Sequence, residues 1–496
     1  MTPSPPVQRA LEASRAYRQR HGARILSDFA AWLALPNVAE DRAAIERNAD
    51  YLAGEMRRRG IATEIWRLGG MPPVVFGERT TPGATTTVLC YAHYDGQPAD
   101  ADEWTVAPWT PTLFSDALSA GGRPIPFPAA DAPIDPAWRI YARSASDDKA
   151  PFTAILTALD ALESAGLPPS VNLKFFFDGE EEIGSPTLGD YLAAYRHRLA
   201  ADALLICDGP VHQSRRPQLF FGARGFSGFT VTVYGPNRHL HSGHYGNWAP
   251  NPGLLLARML AGMKDDAGRV LVDGFDDGVV PLNAIEQAAL DALPDYDAAL
   301  RDELGLAATE CENAGLNERI QWPSLNIRGI KCGVADGRIV NMIPSEARAS
   351  IDVRLVKGLL PETMMDRIQR HLVAEGWHLV DDVPDAETRR TYPKIARLEF
   401  DPSYPAVRTD MSIPIVQDII RVVTHLADEP VALLPTLGGS LPLYHFADHL
   451  GLPIVGVPIA NHDNNQHGPD ENLRVANLWY GIDLFAGLLH GLGHPG

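Results

Sequence analysis

The sequence is poor in cysteine and has no long apolar run. Its four cysteines, Cys90, Cys207, Cys311 and Cys332, show no CxxC spacing, so we expect free thiols in a reducing compartment rather than a disulfide framework. No stretch approaches the roughly 18 apolar residues that a membrane helix needs, and residues 1–24 lack the apolar segment of a signal peptide. The sequence therefore predicts a cytoplasmic protein that does not span a membrane.

Positive charge is also scarce. The chain carries 43 Lys and Arg against 62 Asp and Glu, which gives a formal net charge of −19. This balance argues against the basic surface that neutralises nucleic-acid phosphates and against binding to an acidic membrane surface, whereas it favours metal cations. The 496 residues exceed the roughly 250–300 at which a single core stops growing, so we expect at least two domains.

The apolar pattern divides the chain into parts. Short strand candidates alternate with amphipathic helical stretches up to about residue 221 and again from residue 401, which predicts an α/β domain with a mostly parallel sheet and flanking helices. Between them, GFTVTVY at 228–234 and ARASIDVRL at 347–355 alternate with period two, as antiparallel strands do. We therefore expect one α/β domain over 1–221 and 401–496, and an inserted α+β domain over 222–400. Residues 114–138, rich in Pro, Ala, Gly and Asp, are expected to form a surface loop.

Two motifs place possible ligands at element ends. His93 follows the strand candidate VLCYA, and Asp95 stands where it could hold the second ring nitrogen of His93; a surface turn is the alternative. Asp147 and Asp148 open a helix, where they are either helix caps or a bridging ligand site.

Three further motifs follow buried strand candidates. The first of them has four carboxylates within five residues: Asp178, Glu180, Glu181 and Glu182. Their mutual repulsion would be relieved by a bound cation; a solvated acidic loop is the alternative. Asp208 follows the strand ALLI and could be an ordinary turn residue.

The last motif lies near the C-terminus, where His462, Asp463 and His467 stand in a polar loop bounded by Gly and Pro. Taken together, the five motifs predict a dinuclear metal site, most often occupied by Zn²⁺, at one edge of a sheet.

The order of these motifs resembles that of the dinuclear-zinc exopeptidase and aminoacylase family, which includes carnosine dipeptidases, glutamate carboxypeptidase and succinyl-diaminopimelate desuccinylase. H-x-D, S-D-D-K, E-E-x-G-S, a lone Asp and a late His follow one another from about residue 20 to 490. The segments LHSG at 240–243, NMIP at 341–344 and GGSLP at 438–442 fit the same resemblance. The residues of the segments EEIGS at 181–185 and LHSG at 240–243 favour the dipeptidase branch.

The resemblance implies roles for the ligand residues. His93 and Asp208 would hold one zinc, Glu182 and His467 the other, and Asp147 would bridge the two; Mn²⁺ or Co²⁺ could replace zinc.

It also implies roles for residues that do not bind metal. Glu181 would be the general base toward a zinc-activated bridging water, Asp95 would orient His93, and His241 would stabilise the oxyanion, often from the neighbouring subunit. The inserted domain would be a lid and dimerisation domain. Asn341 and Arg354 would bind the carboxylate of the substrate, and Gly439 and Ser440 would line the same pocket.

The chain departs from the family pattern at Ser144 and Asn247, where glycine is common, and at Ala150 and Cys332. None of these changes removes a ligand. The sequence thus predicts a metal-dependent hydrolase of an amide or peptide bond in a small substrate with a carboxylate, such as a dipeptide. The alternatives are an N-acyl-amino-acid amidohydrolase with the same metals and a non-catalytic zinc-binding protein.

Overall fold

The computed structural model describes residues 4–130, 132–311, 314–334 and 340–494. Within them the helices are α1 (Pro5–Leu33), α2 (Arg42–Arg58), α3 (Lys149–Ser164), α4 (Leu188–Ala194), α5 (Ser242–Tyr245), α6 (Pro252–Met263), α7 (Ala284–Asp291), α8 (Asp297–Leu304), α9 (Leu316–Ile320), α10 (Pro361–Ala374), α11 (Ala386–Thr391), α12 (Pro414–Leu426), α13 (Leu443–Leu450) and α14 (Val475–Gly491). None of these helices combines the length and the apolar character that crossing a membrane requires.

The strands of the same residues are β1 (Ala62–Trp66), β2 (Val74–Arg79), β3 (Thr87–His93), β4 (Thr112–Phe114), β5 (Pro124–Ile125), β6 (Arg139–Tyr141), β7 (Asn172–Asp178), β8 (Ala203–Ile206), β9 (Gln218–Phe220), β10 (Gly222–Ala223), β11 (Gly225–Tyr234), β12 (Leu240–His241), β13 (Ser324–Cys332), β14 (Met342–Ile343), β15 (Glu346–Leu355), β16 (His378–Leu379), β17 (Ile395–Phe400), β18 (Val407–Arg408), β19 (Ala432–Leu434), β20 (Ile454–Gly456) and β21 (Asn472–Arg474). Short 3-10 turns lie at Ala101–Glu103, Leu118–Ala120 and Glu181–Ile183.

The largest sheet of the described residues has the order β1-β2-β7-β3-β8-β20-β9-β19. Its central strands β7, β3, β8 and β20 run parallel to one another, whereas β2 on one side and β9 on the other pair antiparallel to them. Alternate residues of β3 enter two cores: Val88, Cys90 and Ala92 pack with α1, α3 and α14, whereas Leu89 and Tyr91 pack with α4 and α13. Burial on both faces explains why these strands are continuous apolar runs in the sequence, and it confirms the predicted α/β fold class.

A second sheet has the order β13-β15-β11-β17-β16 and is largely antiparallel. One face of β15 is buried and the other partly exposed, which is the period-two alternation of its sequence. Its apolar face packs against α6 and α10 in a separate core. All strands of this sheet lie between Gly225 and Phe400, so we propose, in agreement with the sequence pattern, that residues 222–400 form an inserted domain.

The prediction that residues 114–138 form a surface loop is partly wrong. Within it, β5 pairs with β4, and β4 continues through β6 to β21 as a four-stranded sheet. Ile134 packs on the main core, and Asp131 lies outside the described residues. Strands of two or three residues are too short to leave a periodic signal in the sequence, which is why the prediction missed them.

Candidate metal centre

The carboxyl ends of four neighbouring parallel strands meet at one edge of the large sheet. β3 ends at His93, β7 ends three residues before Glu181, β8 is followed by Cys207 and Asp208, and β20 leads into the loop that carries His467. This edge is where open α/β sheets bind ligands. The strand order therefore brings together motifs that are far apart in the sequence.

Five side chains at this edge form two groups with the geometry of metal ligands. Ligand atoms of His93, Asp147 and Asp208 lie within 4.8 Å of one another, and so do those of Asp147, Glu182 and His467. Asp147 belongs to both groups. Imidazole nitrogen and carboxylate oxygen form a donor set that suits zinc and similar divalent cations.

The two oxygens of Asp147 face opposite histidines. Oδ1 lies 2.9 Å from Nε2 of His93, and Oδ2 lies 3.1 Å from Nε2 of His467. The same His467 nitrogen lies 3.2 Å from Oε2 of Glu182. Asp148 occupies the N-cap position of α3, as the helix-cap alternative expects, but its side chain makes no cap hydrogen bond. The carboxylate of Asp147 contacts His93 and His467 instead.

The electrostatics of the cluster favour a bound cation. Burial, together with the charge of nearby Asp147, raises the pKa of Asp208 to about 7. Burial and the charge of Asp208 also raise the pKa of Asp148 well above its usual range, and its buried Oδ1 has no hydrogen-bond partner among the residues that the structure describes. Crowded, buried carboxylates are costly unless a positive charge compensates them. The residues present therefore fit a metal centre.

Asp95 connects the first ligand to the acidic loop. Its Oδ1 lies 3.2 Å from Nδ1 of His93, and its carboxylate accepts hydrogen bonds from the backbone N–H groups of Glu181 (3.1 Å) and Glu182 (3.0 Å). A partner on Nδ1 fixes which ring nitrogen faces the metal groups. Burial raises the pKa of Glu181 well above its usual range.

Glu471 is a buried residue that the sequence reasoning missed. Its carboxylate accepts hydrogen bonds from Nη1 of Arg143 (2.9 Å), the N–H of Ser144 (2.9 Å), the N–H and Oγ of Ser146 (2.9 and 2.8 Å) and the N–H of Asp147 (3.0 Å). It therefore ties the loop of His467 to the loop that presents Asp147. The signal was one Glu in the polar string GPDEN, four residues after His467, which a solvated loop explains equally well.

Ser144 and Asn247, the two departures from a common glycine, both lie in the left-handed region of backbone conformation. Both residues adopt positive φ, 62° and 61° respectively, where glycine meets no steric cost. Ser144 is held there by its bond to Glu471 and by a bond from Nδ2 of Asn37 to its Oγ (3.0 Å). The loop of Asp147 is thus fixed by side-chain hydrogen bonds.

The remaining predicted residues form two other groups. His241 pairs with Met342 between β12 and β14, and the N–H of Ser242 donates to the carbonyl of Asn341 (3.1 Å). Both His241 and Asn341 are exposed. Among the described residues, no hydrogen bond or ion pair joins them to the ligand groups.

The third group joins the five-stranded sheet to the GGSLP loop. Nη1 of Arg354 donates to Oγ of Ser440 (2.8 Å), and Oγ of Ser440 donates to the carbonyl of Arg224 (2.9 Å). Gly439 has open space where a side chain would stand. The structure therefore brings Arg354 and Ser440 together and leaves the backbone beside them accessible.

Comparisons with known proteins agree with this geometry. A model of peptidase family M20/M25/M40 matches residues 89–491. The chain is 24% identical to the Cys-Gly metallodipeptidase dug1 of Schizosaccharomyces pombe, covering 93% of this chain and 94% of that protein, and 26% identical to the human Beta-Ala-His dipeptidase, covering 98% and 93%. The M20 family metallo-carboxypeptidase Sso-CP2 of Sulfolobus solfataricus superposes with a TM-score of 0.74 at 25% identity, covering 95% of this chain and 99% of that one. The chain therefore belongs to peptidase family M20/M25/M40 and is a metal-dependent peptidase.

Proposed function

We propose that this peptidase hydrolyses dipeptides with a free carboxyl terminus and uses two zinc ions to do so. The observation that carries the proposal is the pair of ligand groups that share Asp147. The relatives named as Cys-Gly and Beta-Ala-His dipeptidases align along nearly their whole length with this chain, which supports the substrate class.

His93 and Asp208 would hold one zinc, Glu182 and His467 the other, and Asp147 both. Zinc in such a site supplies Lewis acidity and lowers the pKa of bound water toward about 7. The ligand residues are held by Asp95, by Glu471 and by Gln97, whose Nε2 donates to Oε2 of Glu182 (2.9 Å). Mn²⁺ or Co²⁺ suits the same oxygen and nitrogen donors.

Glu181 is the proposed general base. Its backbone N–H is fixed by Asp95, and its carboxylate has no hydrogen-bond partner among the described residues. An unpartnered carboxylate beside the ligand groups can take a proton from the attacking water and give it to the leaving amine.

His241 is the proposed oxyanion donor. The N–H of Gly243 donates to Nδ1 of His241 (3.1 Å), so the proton of the neutral ring lies on Nε2. The Nε2–H group of His241 would stabilise negative charge on the carbonyl oxygen of the substrate.

The substrate carboxylate would be bound by Arg354, Ser440 and Asn341. The guanidinium fork of Arg354 is well suited to a carboxylate, and the backbone at Gly439 would line the same pocket.

A homodimer through the inserted domain is part of the proposal. β13 is an edge strand of the five-stranded sheet, and its Ile330 is 61% exposed. Large apolar residues on an open sheet edge mark an interaction surface. β13 ends at Cys332, which lies beside the first turn of α6. A Cβ atom at Gly253 in that turn would come within 2.7 Å of Sγ of Cys332. A second copy on this edge would cover the apolar residues.

A cytoplasmic location is the final part of the proposal. The four cysteines are free thiols. This includes Cys90 on β3 and Cys207, which directly follows the adjacent strand β8. Unpaired thiols fit a reducing compartment. A disulfide found in protein isolated from its own cells would contradict this location.

The experiment that tests the function is hydrolysis of a panel of dipeptides beside N-acetyl and N-succinyl amino acids by zinc-loaded protein. Amine release is measured with and without a chelator. We expect dipeptide cleavage that the chelator abolishes. Cleavage of the N-acyl amino acids alone would instead assign the chain to the amidohydrolases, and no cleavage by zinc-loaded protein would contradict both.

A further inference from the structure

A cavity of about 1060 Å³ lies between the start of β13 and the helices α8 and α9. Its size is at the upper end of that of small-molecule sites. The residues that line it include Arg224, Leu300, Leu304, Ile320 and Trp322.

The cavity adjoins the Arg354–Ser440 pair. Arg354 is paired with Ser324 across β15 and β13, and with Phe226 across β15 and β11, so these three side chains share one face of the sheet. Nη2 of Arg224 donates to Oγ of Ser324 (2.8 Å), and the carbonyl of Arg224 accepts from Oγ of Ser440 (2.9 Å). Arg224 therefore both lines the cavity and contacts the pair.

Helix α9 closes the same corner from the other side. A side-chain carbon at Gly438 would lie only 3.1 Å from Cδ1 of Ile320, so α9 packs directly on the GGSLP loop. Ile320 also lines the cavity. The loop that carries Ser440 and the wall of the cavity are thus in direct contact.

The chemistry of the wall favours an apolar occupant. Leu304, Leu306, Leu316 and Trp322 line the cavity and are among the exposed large apolar residues of the protein. The lining has five basic and four acidic side chains, and Lys264 is already paired with Glu310 (2.6 Å). Charge is therefore nearly balanced, and the apolar surface decides what binds.

We propose that this cavity receives the side chain of the carboxyl-terminal residue of the substrate and selects bulky apolar side chains. The inference rests on the proposed dipeptidase function, in which Arg354 and Ser440 hold the adjacent carboxylate. A substrate held by that pair would have its last side chain next to Arg224 and Ile320, which line the cavity.

The test compares kcat/KM for alanyl-phenylalanine and alanyl-glycine in zinc-loaded wild-type protein and in Ile320→Trp, which fills the cavity. We expect wild type to favour alanyl-phenylalanine. The ratio of the two kcat/KM values should fall about tenfold or more in the variant, because pocket contacts of this size discriminate by such factors. If Ile320→Trp does not fold, Trp322→Ala takes its place. This variant removes part of the cavity wall and should lower the same ratio. The matched control is Val373→Trp on the exposed side of α10, which should leave the ratio unchanged.

The outcomes separate this inference from the proposed function. Cleavage of both dipeptides with an equal ratio in wild type and in the folded variants would overturn the pocket but leave the function standing. Cleavage of neither dipeptide by zinc-loaded wild type would contradict the function itself and the pocket with it.

Discussion

Glu181 and Glu471 are carboxylates beside the same metal groups, but their hydrogen bonding differs. Glu471 is completely buried, and its oxygens accept five hydrogen bonds from the neighbouring loop. The carboxylate of Glu181 has no such partner within the part of the chain that the structure describes. A fully bonded carboxylate positions its neighbours, whereas an unbonded one is available to move a proton.

Glu181→Gln should lower kcat by about a hundredfold to ten-thousandfold, the usual contribution of a general base. Zinc content should stay unchanged, because the backbone N–H that Asp95 holds is retained. The measurement is kcat together with metal content of the purified variant. Glu180→Gln is the matched control, since the carboxylate of Glu180 bonds to Thr187 instead, and it should keep its turnover. Full turnover in Glu181→Gln would remove Glu181 from the mechanism.

Glu471→Gln should weaken zinc binding by about tenfold to a hundredfold, as changes to the residues that orient metal ligands do. The amide keeps the shape of the side chain but puts a donor against N–H groups that need an acceptor. Zinc affinity is measured by competition with a chelator at a temperature where the variant is folded. Asp483→Asn changes another buried carboxylate, which bonds to Ser14 and Arg18, and should leave the affinity unchanged. Equal affinities in Glu471→Gln and wild type would limit Glu471 to a structural role.

At the scale of secondary-structure elements, His241 lies on the β12–β14 pair, and among the described residues no hydrogen bond or ion pair joins it to the metal groups. His241 of β12 pairs with Met342 of β14. A side chain at Gly333, the residue after β13, would contact Met342 and Pro344, so the β12–β14 pair lies next to the end of β13. This is the same open edge where Ile330 is exposed. A partner chain on that edge could present its His241 to the neighbouring site.

Complementation tests this arrangement. His241→Ala and Glu181→Gln should each be nearly inactive alone, but in a mixed dimer one site would combine Glu181 of one chain with His241 of the other. Co-expressed chains that pair at random should recover about one quarter of wild-type activity. Recovery is measured on the purified mixture, with the dimer verified by analytical ultracentrifugation. No recovery from verified mixed dimers would place His241 and Glu181 of one chain in the same site.

The sequence could predict the strand ends of the site but not all of its supports. His93, Glu182 and Asp208 each follow an apolar run whose burial on both faces makes it a clear strand, and parallel strands bring their carboxyl ends to one edge. Glu471 gave no such signal, because the four residues that donate its five hydrogen bonds are brought to it only by the tertiary fold. Helices α7, α8 and α9 were missed because each has eight residues or fewer, too few turns for a helical period to stand out.

At the scale of the whole molecule, the described residues form a large sheet with the candidate metal groups at one edge, and a second sheet that lies between its strands in the sequence. The proposed metal ligands come from residues 93–208 and from residue 467, on either side of the proposed 222–400 insertion. Arg354 of the insertion contacts Ser440 of the surrounding part. This contact gives the proposed substrate site walls from both parts of the chain.

The central claim is that two zinc ions, sharing Asp147, support dipeptide hydrolysis. The most direct measurement is titration of metal-free protein with Zn²⁺ while bound zinc and the rate of dipeptide cleavage are followed together. We expect no cleavage without metal, and a maximum rate when two zinc ions are bound per chain. Cleavage by the metal-free protein, or saturation at a single bound zinc, would contradict the account.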